Sequence, residues 1–312
     1  MVLPAEGRMN TAHPNESEHS YSIHGRVVDA HVHIWTPDIQ RYPLAPRWRT
    51  SDMDPPSFTP EELLAQCRPA GVERINLVQM SFYEDDHRYL LDAVARYPRT
   101  FSATGLLADV ASEDARPLEH VQELWEAGVR AVRLVGGSLD GRGKDWMAHP
   151  HYEALYRFGA EQGLILSFQV NPTDLSEINR FCRRFPETPV VIDHLARIGL
   201  DDTKVDAATR MLCDLARHPH VRVKVGAFYA LSRTGPPYLD LLSLIERIVA
   251  SFGPERCMWE SDAPFQAQPP HDYQSSLRLL RDHAHFLSPS DKEQILRKTA
   301  ESLFFEDLAN SP

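Results

Sequence analysis

The stretch VVDAHVHIWTPD, residues 27–38, decides between the two folds open to this chain. A short β-branched and apolar run enters it as a strand, and HVHIWTPD follows where a glycine-rich phosphate turn would stand. A doubly wound dinucleotide fold needs that turn, because a pyrophosphate is approached by backbone N–H groups where side chains are missing. The reading that remains is a (β/α)8 barrel. Side chains alternate along a strand, so His31 and His33 share one face while Val32 and Ile34 take the other. Two imidazoles in an apolar run are costly without partners. Their common face suits a divalent metal. A hydrogen-bonded structural role is the competing account for either ring alone.

Outward from this stretch, apolar runs recur at 74–80, 101–108, 131–137, 164–170, 189–196, 221–228 and 256–265. Amphipathic segments separate them, among them PEELLAQCRPAG (60–71), HYEALYRFGAEQG (151–163) and PYLDLLSLIERIVASFG (237–253), and most end in Gly or Pro. Eight such runs alternating with helices give an α/β TIM-like barrel. Two extra C-terminal helices are expected near 271–284 and 290–304, the second opened by an N-cap serine in SPSDKEQ. The proline-rich, aperiodic stretch 36–59 follows the first strand on the face where barrels carry their sites, and reads as an active-site loop. Residues 26–312 form the barrel domain. Residues 1–25 are polar with little to bury and read as a mobile extension.

The formal charge of −11 argues against a nucleic-acid partner, which requires clustered Lys and Arg. It leaves room for an anionic small molecule held by a few local arginines. No apolar run approaches the roughly 18 residues of a membrane span. The four cysteines form no CxxC pair, which fits reduced thiols and a cytoplasmic location. Homo-oligomerisation stays open, since the outer helices of barrels can pack against neighbours.

Two further positions join the histidine pair. His194 follows an aspartate in VVIDHLA, at the end of the sixth run, and Asp262 ends the eighth in MWESDAPF. A barrel brings strand ends that are remote in sequence to one mouth. A carboxylate there can bind a metal and accept a proton from water.

These residues sit in longer matches: DAHVHIW (29–35), RYPL (41–44), VVIDHLA (190–196), VRVKVGAFYAL (221–231) and ESDAPF (260–265). Together they resemble the amidohydrolase superfamily, in its branch of small lactonases of the sugar-acid, sulfomuconolactone and pyrone-dicarboxylate types. The resemblance implies a hydrolase that opens a small lactone with an activated water. His31, His33, His194 and Asp262 would be the metal ligands, with Asp262 and His194 catalytic. The implied cofactor is one divalent metal, zinc by ligand type, with metal-independent action as the alternative. Two readings compete: a metal-dependent decarboxylase of the same superfamily, and a catalytically silent ligand-binding barrel.

The departures from the pattern are informative. The fifth run ends LSFQVNP, offering Gln169 and Asn171 where superfamily members often place a histidine. The fourth, RAVRLVGG, has no lysine to bridge two metals, so a two-metal site is not expected. Where these lactonases commonly show GSDWP, this chain has ESDAPF, which puts Glu260 on the Asp262 side one layer deeper. Lys224, on the neighbouring strand, is expected to pair with it, because a lone buried charge is very costly.

For a lactone or carboxylate substrate, Arg133 and Arg197 are candidate bidentate grips. Arg47 and Arg49 lie on the first loop, Tyr83 and Tyr229 are candidate donors, and Gln169 is a further polar group at the mouth. His149 and His151 open a helix and read as capping residues.

Overall fold

A computed structural model describes residues 26–143, 145–199 and 204–309. The expected N-terminal extension lies outside the described residues. Eight parallel strands run in sequence order: β1 (Val27–Val32), β2 (Val72–Val78), β3 (Phe101–Leu106), β4 (Ala131–Val135), β5 (Ile165–Gln169), β6 (Val190–Ile192), β7 (Val221–Gly226) and β8 (Cys257–Glu260). The ends meet at the mouth, where Val32 bridges Ala263, His33 N donates to Ala263 O at 2.9 Å, and Asp262 N donates to His31 O at 3.0 Å. This is the expected TIM-like (β/α)8 architecture.

Local chemistry explains the alternation. Pro60 opens the helix Pro60–Cys67 behind the cap of Thr59, with Glu62 returning the bond to the Thr59 backbone. Gly163, at φ 81, ends the helix Pro150–Gln162 in the left-handed conformation that Gly adopts without strain. After β8, helical turns cover Tyr273–His283 and Pro289–Ala309, and Ser288 caps the latter as expected.

The barrel interior is layered. Ala131, Ile165, Val191 and Met258 form an apolar floor with Val28 and Ala30, closed by Ala300, Phe304 and Phe305 of the final helix. Two residues further along their strands come Arg133, Ser167, Asp193 and Glu260, all buried. Strand β1 breaks the alternation. Its register with β2 slips between Asp29 and Val32, so Ala30 belongs to the floor and His31 to the layer above. Such irregularities re-aim side chains next to active sites. Asp29 turns outward instead: its carboxylate accepts from Ser261 N (2.9 Å), His31 N (3.2 Å) and Tyr273 Oη (2.9 Å). Burial raises its pKa to about 7.

Candidate active site

Four side chains converge at the mouth. His31 and His33 arrive from the end of β1, His194 from just past β6 and Asp262 from just past β8. His33 Nδ1–H donates to the Val78 carbonyl at 2.8 Å, which leaves the lone pair of Nε2 facing inward. His31 Nε2 lies 3.2 Å from that atom, and Asp262 Oδ1 lies 3.4 Å from His33 Nε2 and 3.7 Å from His31 Nε2. Asp262 Oδ1 is buried and makes no hydrogen bond among the described residues. Three donor atoms so spaced, one an orphaned carboxylate oxygen, suit a single small cation bound at about 2.0–2.2 Å to each. The donor set fits the metal.

His194 is tied elsewhere. Its Nδ1 is 2.6 Å from Glu260 Oε1, which also accepts from the His194 backbone N–H at 3.0 Å. Its ring packs 4.6 Å from that of His31, and the ligand atoms it could offer group with His31 and Asp193, not with the His31–His33–Asp262 set. A second ion in that group meets an obstacle. Lys224 Nζ already sits 3.0 Å from Asp193 Oδ1 and 3.1 Å from His31 Nδ1, so the place of a second cation is taken by an ammonium.

This corrects the expected Lys224–Glu260 pair. Lys224 pairs with Asp193, which Ser167 Oγ also supports at 2.8 Å, and Glu260 pairs with His194. The His31 ring lies between the two, its Nδ1 3.3 Å from Glu260 Oε2. Each buried charge is compensated, by a different partner from the one alternation suggested. Asp193, which the sequence offers as a turn or supporting residue beside His194, has that supporting role, and Ser167 is a partner with no signal in the sequence.

The electrostatics follow from this packing. Burial opposes ionisation of Asp262, but His194, His33 and His31 outweigh it and hold the carboxyl well below its usual range. Burial likewise opposes the Glu260 charge, and His194 brings that pKa down to about 2. For His33 burial dominates and lowers the pKa to about 4. For His194, burial is overcome by Glu260 and Asp262, which raise it.

The backbone at the mouth is strained. His194, Leu195, Ala196 and Arg197 have φ of 52, 51, 53 and 57, and Ala227 and Asp262 follow at 52 and 63. Each left-handed non-glycine residue costs about 1–3 kcal/mol, and such residues cluster where function requires a set geometry. The expected sixth and eighth strands therefore end early, at Ile192 and Glu260.

The remaining candidates divide. Tyr229 Oη donates to Asp262 Oδ2 at 2.8 Å, inside the site. Arg133 is buried beside it, Nη1 3.4 Å from His33 Nε2 and Nε 3.5 Å from Asp193 Oδ2. Gln169 ends β5 on the inward side set by Ser167 and is half-buried. Arg197 lines a cavity of about 370 Å³ with Asn171, Thr173 and Lys204. Arg47, on the first loop, is held by Glu84 at 2.5 Å and stacks over Trp48. Two candidates stand apart. Tyr83 Oη accepts from Thr36 N at 3.1 Å and so anchors the loop after β1, and Arg49 is exposed, its backbone N–H tied to Asp52. His149 caps its helix, as expected.

A closed barrel with two histidines on its first strand, a histidine past its sixth and an aspartate past its eighth is the frame of a hydrolytic barrel enzyme. The chain belongs to the amidohydrolase family, whose model matches residues 28–305. It is 27% identical over 276 residues to L-fucono-1,5-lactonase of Burkholderia ambifaria, covering 86% of this chain and 91% of that one. It is 25% identical over 245 residues to 4-sulfomuconolactone hydrolase of Rhizobium radiobacter, 78% of each chain. A zinc-bound amidohydrolase from Burkholderia multivorans shares the fold at TM-score 0.73 and 19% identity, covering 89% of this chain and 99% of that one. Among the described residues no helix is long and apolar enough to cross a membrane.

Proposed function

We propose that the protein is a lactonase, opening the ring ester of a small lactone of sugar-acid or muconolactone type by attack of water at the barrel mouth. The observation that carries this reading is the orphaned, buried Asp262 Oδ1, ionised at neutral pH and facing two imidazole nitrogens. A carboxylate in that state is a proton acceptor for water. The names of the curated relatives support the same chemistry.

His31 Nε2, His33 Nε2 and Asp262 Oδ1 would hold one divalent ion, with zinc favoured by a nitrogen-and-carboxylate set. When bound it supplies Lewis-acid polarisation of the scissile carbonyl. Asp262 takes the proton of the attacking water, and Tyr229 fixes the plane of its carboxylate through Oδ2. His194, its Nδ1–H committed to Glu260, presents the lone pair of Nε2, which receives from Asp262 the proton taken from water and passes it to the leaving alkoxide. Arg133 places positive charge where the oxyanion develops. Arg197, Arg47 and Gln169 are the candidates to contact substituents of the ring. The Lys224 ammonium in the second ligand group supports a one-metal site.

The test is acid release, followed with a pH indicator, from a panel of sugar-acid and muconolactone-type lactones. Wild type is run beside Asp262→Asn, each with and without chelator. Turnover lost in the variant supports the reading. A folded wild type that opens no lactone and instead releases CO₂ from an aromatic acid would replace it with the decarboxylase.

A further inference from the structure

We infer that Glu260, seated in the notch left by Gly226, is the positioning residue that fixes the proton of His194 and ties that ring to His31. The role of His194 in ring opening rests on the lactonase reading; the placement of its ring does not.

Glu260 is fully buried, and its two oxygens serve two histidines. Oε1 accepts from both the backbone N–H and the ring Nδ1 of His194, at 3.0 and 2.6 Å, while Oε2 stands 3.3 Å from His31 Nδ1 and makes no hydrogen bond among the described residues. The two rings are held differently. His31 Nδ1 faces both a donor, Lys224 Nζ, and an acceptor, Glu260 Oε2, so either tautomer finds a partner. His194 Nδ1 faces an acceptor, which keeps the proton on Nδ1 and the lone pair on Nε2.

His194 also opens the run of four left-handed residues, and its amide leaves the β6 ladder after Ile192 pairs with Val223. Glu260 Oε1 supplies the acceptor for that displaced N–H. The space for this comes from β7. Gly226 is the register partner of Glu260, and a Cβ built on it would overlap Glu260 Cγ and the Glu260 carbonyl oxygen. Its φ is not in the left-handed region, so Gly226 is required for room and not for conformation. A Cβ at Gly226 displaces the brace first, since the three heavy atoms nearest to it all belong to Glu260.

The experiment records histidine ring ¹H–¹⁵N correlation spectra of the full chain, with His194 assigned by its loss in His194→Gln. Wild type, Glu260→Gln, Glu260→Gly and Gly226→Ala are compared, with circular dichroism and thermal melts as the folding control. The wild-type His194 ring is expected as a single Nδ1-protonated species. In the variants its resonances move toward a mixture of tautomers, and kcat on the opened lactone falls about 10–100-fold while KM stays within about twofold. Glu260→Gly removes the carboxylate altogether and keeps the test open should Gly226→Ala fail to fold. Any folded Glu260 variant whose His194 ring keeps the wild-type pattern overturns the inference. A tautomer shift in a protein that opens no lactone leaves the brace standing and discards the lactonase reading.

Discussion

Tyr229 Oη reaches one oxygen of Asp262, at 2.8 Å, and leaves the other oxygen to the histidines. This divides the carboxylate into a held half and a working half. Asp262→Asn keeps the held half and removes the base, so kcat should fall about 10²–10⁴-fold with folding intact. Tyr229→Phe frees the carboxylate plane and should lower kcat about tenfold, the scale of one hydrogen bond to a charged group. Steady-state kinetics beside thermal melts separates the two. Equal losses in both variants would argue against the division.

Lys224 in the second ligand group predicts metal stoichiometry. Protein purified without chelator should carry about one zinc per chain by elemental analysis, since one ligand set fits the ion. His33→Ala should lose it together with the activity. A stoichiometry of two would mean that Lys224 gives way to an ion, contrary to its contacts with Asp193 and His31.

His87 gives a pH dependence remote from the site. Its Nδ1–H donates to the Asp85 carbonyl at 2.9 Å and its Nε2 accepts from Leu106 N at 2.9 Å, so a second ring proton breaks a bond. Burial, with His120 nearby, lowers its pKa from 6.5 to about 4. Between those values the unfolded chain binds more protons than the folded one. The stability is therefore present above pH 6.5 and lost as pH falls through about 4. In His87→Gln the amide can copy both bonds. That variant should lose about 1 kcal/mol at pH 7.5 and show a shallower decline below 6.5 in chemical denaturation. A slope equal to wild type would assign the pH dependence to other groups.

The arginines should separate by position. Arg133→Lys retains charge but not the planar fork beside His33 and Asp193, and should reduce kcat/KM at least about tenfold. Arg49→Ala alters an exposed loop and should stay within about twofold. If the order is reversed in the kinetics, the loop closes on the substrate more tightly than the structure indicates.

Much of the site was legible because barrel topology does the gathering. Once the runs are counted, the ends of β1, β6 and β8 must share a mouth, and His31, His33, His194 and Asp262 follow. Alternation could not reveal the slip in β1, so it gave no hint that Asp29 and His31 point to opposite sides. Nor could it give azimuth around the barrel. Glu260 and Lys224 occupy adjacent inward positions, yet Lys224 leans to β6 and Glu260 to the residue past it. The four left-handed residues from His194 were invisible for another reason. No glycine marks them, because their conformation is imposed by tertiary contacts, not by local preference. Loop residues such as Arg49 and Tyr83 carry no periodic signal at all.

The floor of the barrel has a consequence for truncation. Phe304 lies under Lys224, its ring 5.8 Å from Nζ, and with Ala300 and Phe305 it meets Val28 and Ala30 of the first strand. The plug is thus delivered by a helix that follows all eight strands along the chain. Without that helix the eight strands would form a tube open from below, with Lys224 no longer covered by Phe304. A chain stopped at Lys298 is expected to bind a hydrophobic dye that the 312-residue chain excludes, and to lose catalytic competence.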